Sequence, residues 1–159
     1  MKRPNFFKLA VAIVGSQMAG IIGSVFTVSS VTTWYAELER PAFNPPGWVF
    51  GPVWTMLYVL MGIAAYLVWQ RGTKRRDVRI ALGLFVGQLV LNASWSIVFF
   101  GLHSPGGAFA NIVLLWVAIV ATMVAFARIS RAAVWLLVPY IIWVSFAMYL
   151  NFAIWQLNG

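Results

Sequence analysis

In the stretch GQLVLNASW, Gln88, Asn92, Trp95 and Ser96 recur at i, i+4, i+7 and i+8, so a helix would carry all four on one face. The run around them holds no charge. Amides in such a setting must find partners, which turns this face toward other protein rather than lipid. Trp54 and Tyr58 in a second apolar run, and Trp143, Phe146, Ala147 and Asn151 in the last one, add aromatic and amide groups of the same kind. Indole faces beside an amide, in apolar surroundings, are the usual lining of a small-molecule pocket. Conventional catalysis is poorly supplied. The only acids are Glu37, Glu39 and Asp77, the only histidine is His103, and there is no cysteine. Ion coupling wants a titratable group in mid-membrane, and a metal or haem site wants several clustered ligands. His103 is therefore expected as a solvated loop residue, and no metal or cofactor is expected.

The elements that must position these residues follow from composition. Of 159 residues 62% are hydrophobic and 9% charged, with a mean hydropathy of +0.88, far from the ~25% charged residues of soluble domains. Five runs are each long enough to cross a hydrocarbon core of about 30 Å as a helix. They predict one membrane domain over 1–159, with helices over 6–28, 46–70, 78–102, 106–127 and 132–157 and a long loop over 29–45. No period of two is present, so a β-barrel is not expected. The first run exceeds a signal-peptide core and lacks a small-x-small cleavage pattern, which keeps it as a helix.

Charge gives a topology. Lys2, Arg3, Lys8, Arg71, Lys74, Arg75, Arg76, Arg79, Arg128 and Arg131 fall on one side and only Arg40 on the other. By the positive-inside rule the N-terminus is cytoplasmic and the C-terminus outside. That rule also accounts for RGTKRRDVR and for a pI near 10.7, so nucleic acid is not expected as a partner.

The loop feeds RPAFNPPGWVFGPVW, residues 40 to 54, four prolines in fifteen positions. Asn44 is read as an N-cap with Pro45 at the first helical position, and Pro52 as a bend in the first turns. Glu37 or Glu39 is expected to pair with Arg40. Two small-residue ladders, Gly15, Ala19, Gly23 and Ser16, Gly20, Ser24, allow close approach of the first helix. Asn111 is expected to bridge helices. Gly83 and Gly87 form a GxxxG pair about 100° from Gln88, a candidate homodimer contact. The nine tryptophans leave two readings open at this level, filling of the bundle core or a ligand box.

Three blocks, WYAELERPAFNPPGWVFGPVW (Trp34 to Trp54), GQLVLNASWSIVFFG (Gly87 to Gly101) and PYIIWVSFAMYLN (Pro139 to Asn151), resemble the translocator protein family. It is also known as the tryptophan-rich sensory protein or peripheral benzodiazepine receptor family. The resemblance covers nearly the whole chain. It implies a five-helix bundle, commonly dimeric, with a cavity under the first loop for porphyrins such as protoporphyrin IX and, in animal members, cholesterol and benzodiazepine-site drugs. Carried over by residue, it implies ligand contacts from Gly23, Ser24, Phe50, Trp54, Asn92, Trp95, Ala110, Leu114, Trp143, Phe146, Ala147 and Leu150. Pro41, Phe43 and Asn44 would belong to the lid. Phe43 stands where many members have tryptophan, and no basic residue follows Arg131, so the C-terminal sterol pattern is incomplete.

Three functions are expected from the resemblance: a porphyrin-binding transporter or sensor, a light-dependent porphyrin-degrading enzyme with Trp54 and Trp143 as relays, or a regulatory scaffold with the ligand as signal. A bacterial multi-pass protein is expected, in an inner membrane by charge, although the family includes outer-membrane members.

Overall fold

The computed structural model describes residues 3–159, so Lys2 lies outside them. It is all helical: α1 (Phe6–Val31), α2 (Trp34–Glu37), α3 (Gly47–Trp69), α4 (Arg76–Ser96), α5 (Pro105–Ala127) and α6 (Arg131–Asn158). A π-helical turn, Ile97–Gly101, prolongs α4. Five of these elements are long and apolar enough to span a membrane, and α2 lies within the loop. The large apolar residues on the outside, Val25, Val28 and Val90 among them, match a hydrocarbon solvent, in which only closed hydrogen-bonding elements are stable.

Helix starts follow capping chemistry. The side chains of Asn5, Ser104 and Ser130 accept from the backbone N–H of Lys8, Gly107 and Ala133, at 3.1, 3.2 and 3.4 Å, each satisfying one orphan donor. The expected cap at Asn44 is not formed. The residue before a proline is driven out of the helical region, and both Asn44 and Pro45 precede one. Helix α3 accordingly starts after Pro46, which is extended at ψ 142°. Asn44 holds the loop instead: it accepts from the Tyr35 hydroxyl at 3.3 Å, and its backbone N–H donates to Pro41 at 3.0 Å.

The five long helices close into a ring in the order α1, α3, α6, α5, α4 and back to α1. Alternating direction brings Lys8, the Arg71–Arg79 segment, Arg128 and Arg131 to one end and the loop to the other. At the basic end the ring is solid. Leu57, Met61, Ala64 and Val68 of α3 are fully buried with Val78 and Ala81 of α4, Ile119 and Phe126 of α5, and Leu137 of α6. Gly62 shows how tight the fit is: a Cβ there would lie 2.5 Å from the Ile13 Cα, so only glycine lets α1 and α3 touch.

The loop end is aromatic. Leu102 N–H donates to the Ile97 carbonyl at 2.9 Å, closing the π-turn. Phe99 and Phe100 from that turn are buried against Trp34 and Tyr35, each pair with centroids 5.6 Å apart. His103 is an exposed loop residue, as expected, but its ring is not without a partner. It has a left-handed φ of 51°, and its ring stacks on Trp34 at 4.4 Å. Two bonds link Asn158 to Glu39, whose N–H donates to Asn158 Oδ1 at 3.0 Å and whose carbonyl accepts from Nδ2 at 2.9 Å. The expected Arg40 ion pair is absent. Arg40 lies over the Tyr35 ring at 5.2 Å, and Arg75 with Asp77 is the one salt bridge among the described residues.

Candidate ligand cavity

Between the solid half and the loop lies a cavity of about 510 Å³, within the 300–1,000 Å³ range of small-molecule sites. Its floor is a hydrogen-bonded chain across three helices. The Tyr58 hydroxyl of α3 donates to Asn92 Oδ1 of α4 at 2.5 Å, and Asn92 Nδ2 donates to the Tyr140 hydroxyl of α6 at 2.8 Å. Tyr140 in turn donates to Gln88 Oε1 at 2.7 Å. All four side chains are buried, and every link satisfies a group that hydrocarbon would strand. Asn92 is therefore more committed than its sequence setting suggests, with one acceptor site and one donor already used by protein.

The walls are indoles. Trp54 stacks on Tyr58 at 5.6 Å and meets Tyr140 edge-on at 6.3 Å. Trp95 donates its Nε1–H to Asn151 Oδ1 at 2.9 Å, and Asn151 Nδ2 donates to the Pro105 carbonyl at 2.9 Å, which fixes both side chains. Trp143 meets Phe50 edge-on at 6.0 Å, yet its indole N–H is buried without a partner. On α1, Gly23 lies so close to α4 that a Cβ would come within 2.8 Å of Ser96 Oγ.

Of the residues implied for ligand contact, Gly23, Ser24, Phe50, Trp54, Asn92, Trp95, Trp143, Ala147 and Leu150 all line this cavity, and Asn44 joins them from the loop. Ala110 and Leu114 do not. Helix α5 stands on the far side of the ring, tied to its neighbours by Asn111 Nδ2 to Ser94 Oγ and Trp116 Nε1 to Ser145 Oγ, both 2.9 Å. Leu114 is 60% exposed on the outer face. The interhelical role expected of Asn111 is thus observed. Phe146 sits behind the wall between Trp143 and Phe43, at 5.5 and 6.3 Å. Pro41 lies outside the lining, and Phe43 packs outward on Tyr149 at 5.3 Å.

Sequence reasoning missed much of the α1 wall. Beside Ser24, which it did name, Gln17, Gly20, Thr27 and Val31 face the cavity. Their alternating spacing of three and four is a helical stripe of mostly small and polar residues, legible in principle beside the strict i+4 ladders. Arg40, exposed, is the cation of the lining, and Tyr35 stands beside it.

Fold and site define a multi-pass integral membrane protein whose helix ring holds an aromatic cavity under a loop. The chain belongs to the TspO/MBR family, whose profile matches residues 10–156. It is 49% identical over 150 residues to the tryptophan-rich protein TspO of Chlorobaculum tepidum, covering 94% of this chain and 95% of that one. It is 46% identical over 155 residues to the protein of the same name from Archaeoglobus fulgidus, covering 98% and 99%. The human translocator protein is 41% identical over 138 residues, 86% of this chain and 82% of its own.

Proposed function

We propose that this chain binds porphyrins in the cavity and acts as a membrane carrier or sensor for them. One observation carries the reading: three tryptophans on three helices, Trp54, Trp95 and Trp143, face one space of about 510 Å³ whose rim bears Arg40. A flat macrocycle stacks on indole faces, and its carboxylates lie at the loop side beside the guanidinium. Titration of purified protein with protoporphyrin IX in the dark, followed by tryptophan fluorescence, tests it. Saturable quenching that weakens in Trp54→Ala and Trp143→Ala supports the site; quenching unchanged in both removes it.

A second reading, light-dependent porphyrin degradation, draws on the run of rings from Trp54 to Tyr58 and Tyr140, which leads inward from the cavity wall. Illumination of the same sample separates the two. A protein-dependent product that vanishes in Trp→Phe variants indicates an enzyme, and bleaching equal to a detergent blank excludes one.

The assembly reading is a homodimer through α4. Gly83 and Gly87 have open space where a Cβ would stand, and Ile80, Val86 and Val90 are exposed beside them. The positive-inside rule supports a cytoplasmic basic end.

A further inference from the structure

Helices α1 and α3 are joined tightly at the basic end and loosely at the loop end. The Gly62 contact with the Ile13 backbone and a 3.1 Å bond from Asn5 N–H to the Tyr66 hydroxyl hold the first part together. Gln17 Nε2, donating to the Thr55 carbonyl at 3.1 Å, is the last side-chain hydrogen bond between the two helices on the way to the loop. From that bond toward the loop, residues of both helices line the cavity and are solvent-exposed: Ile21, Ser24 and Val28 on α1, Gly51 and Thr55 on α3. Such exposure along both helices fits a wall that is open or one side chain thick there.

We propose that this seam is the ligand's doorway: porphyrin enters and leaves sideways, from the loop-side leaflet, between α1 and α3, while the loop stays shut. The proposal rests on the porphyrin reading of the cavity. Its height fits. Gln17 lies fourteen residues before Val31, about 21 Å at 1.5 Å per residue, so the seam spans one leaflet's share of the ~30 Å core and the interface above it. Its small residues, Gly51 and Ser24, leave a slot suited to a plate entering edge-on. A porphyrin dissolved in a bilayer keeps its ring among the acyl chains and its carboxylates at headgroup level, where Arg40 waits at the rim. The loop, by contrast, is fastened over the other side of the cavity. Asn158 holds Glu39 by two bonds, Phe43 lies on Tyr149, and Trp34 lies on His103. Opening from above would break all of these, whereas the seam needs only side chains to move.

The chain has no cysteine, so introduced pairs are unique. One variant carries Ser24→Cys with Gly51→Cys across the seam, and another Glu39→Cys with Asn158→Cys across the loop anchor. Each is reconstituted in vesicles, bridged or not with a short bismaleimide, and mixed in the dark with vesicles loaded with protoporphyrin IX. The readout is the rate of tryptophan quenching. Bridging the seam is expected to slow it at least tenfold, and bridging the anchor to leave it within twofold. The reverse pattern, or no effect of the seam bridge, overturns the proposal. Absence of saturable quenching in unbridged protein would instead sink the porphyrin reading. The doorway is then judged without porphyrin, by nitroxides on lipid acyl chains and a bimane fluorophore on Thr27→Cys. Strong quenching supports an open seam, and quenching no greater than at the buried Ala81→Cys overturns it.

Discussion

Tyr58 and Asn92 share a 2.5 Å hydrogen bond that ties α3 to α4 at the floor of the cavity. It is the first link of a chain that continues through Tyr140 to Gln88, so loss of one donor leaves an acceptor buried among apolar side chains. Tyr58→Phe is expected to cost about 1–3 kcal/mol of stability, read as a lower unfolding midpoint in detergent.

The two wall indoles should respond differently to one change. Trp95→Phe removes the donor to Asn151 and strands that amide oxygen, again about 1–3 kcal/mol. Trp143→Phe removes an N–H that has no partner, and the unfolding midpoint should stay near wild type. Equal losses in the two variants would contradict this account.

Gly62 and the Gly83–Gly87 pair should part company. Gly62→Val drives side-chain atoms into the Ile13 backbone and is expected to cost about 1–3 kcal/mol as overpacking does. Gly83→Val with Gly87→Val meets open space, so the protomer's melting should be unaffected while the proposed α4 dimer, measured by cross-linking or mass, should be lost.

Arg40 has no ion-pair partner among the described residues and stands exposed at the cavity rim. Removing an exposed charge contact changes binding by about 0.2–1 kcal/mol. Arg40→Gln should therefore weaken free-acid porphyrin by a few fold at low salt and leave the dimethyl ester unaffected, as read by fluorescence titration.

The five spans were legible because each is an unbroken apolar run, and lipid leaves helix as the only conformation for such runs. Their ends were less so. Asn44 looked like a cap because its residue type fits, but the Pro45–Pro46 pair outweighs type through steric exclusion of the helical region. The π-turn at Ile97–Gly101 has no compositional mark, since it shifts a hydrogen bond by one residue without changing which residues are apolar. Nine of the twelve residues inferred for ligand contact meet in one cavity, chiefly those on helix faces with an amide or indole beside a small residue. Ala110 and Leu114 fall outside because ring order, which places α5 behind α4 and α6, is a property of packing that no single run reveals.

The solid half of the ring has one more consequence. Below Tyr58, α3 continues for eleven residues to Trp69, about 16 Å at 1.5 Å per residue, and its inward side chains there, Met61, Ala64 and Val68 among them, are fully buried. The molecule is shaped as a cup and not as a pipe. On the proposed reading, a solute held in it would exchange with one leaflet or be reported on from there, whereas passage to the other face would require the buried layer of Leu57, Met61, Ala64 and Val68 to come apart.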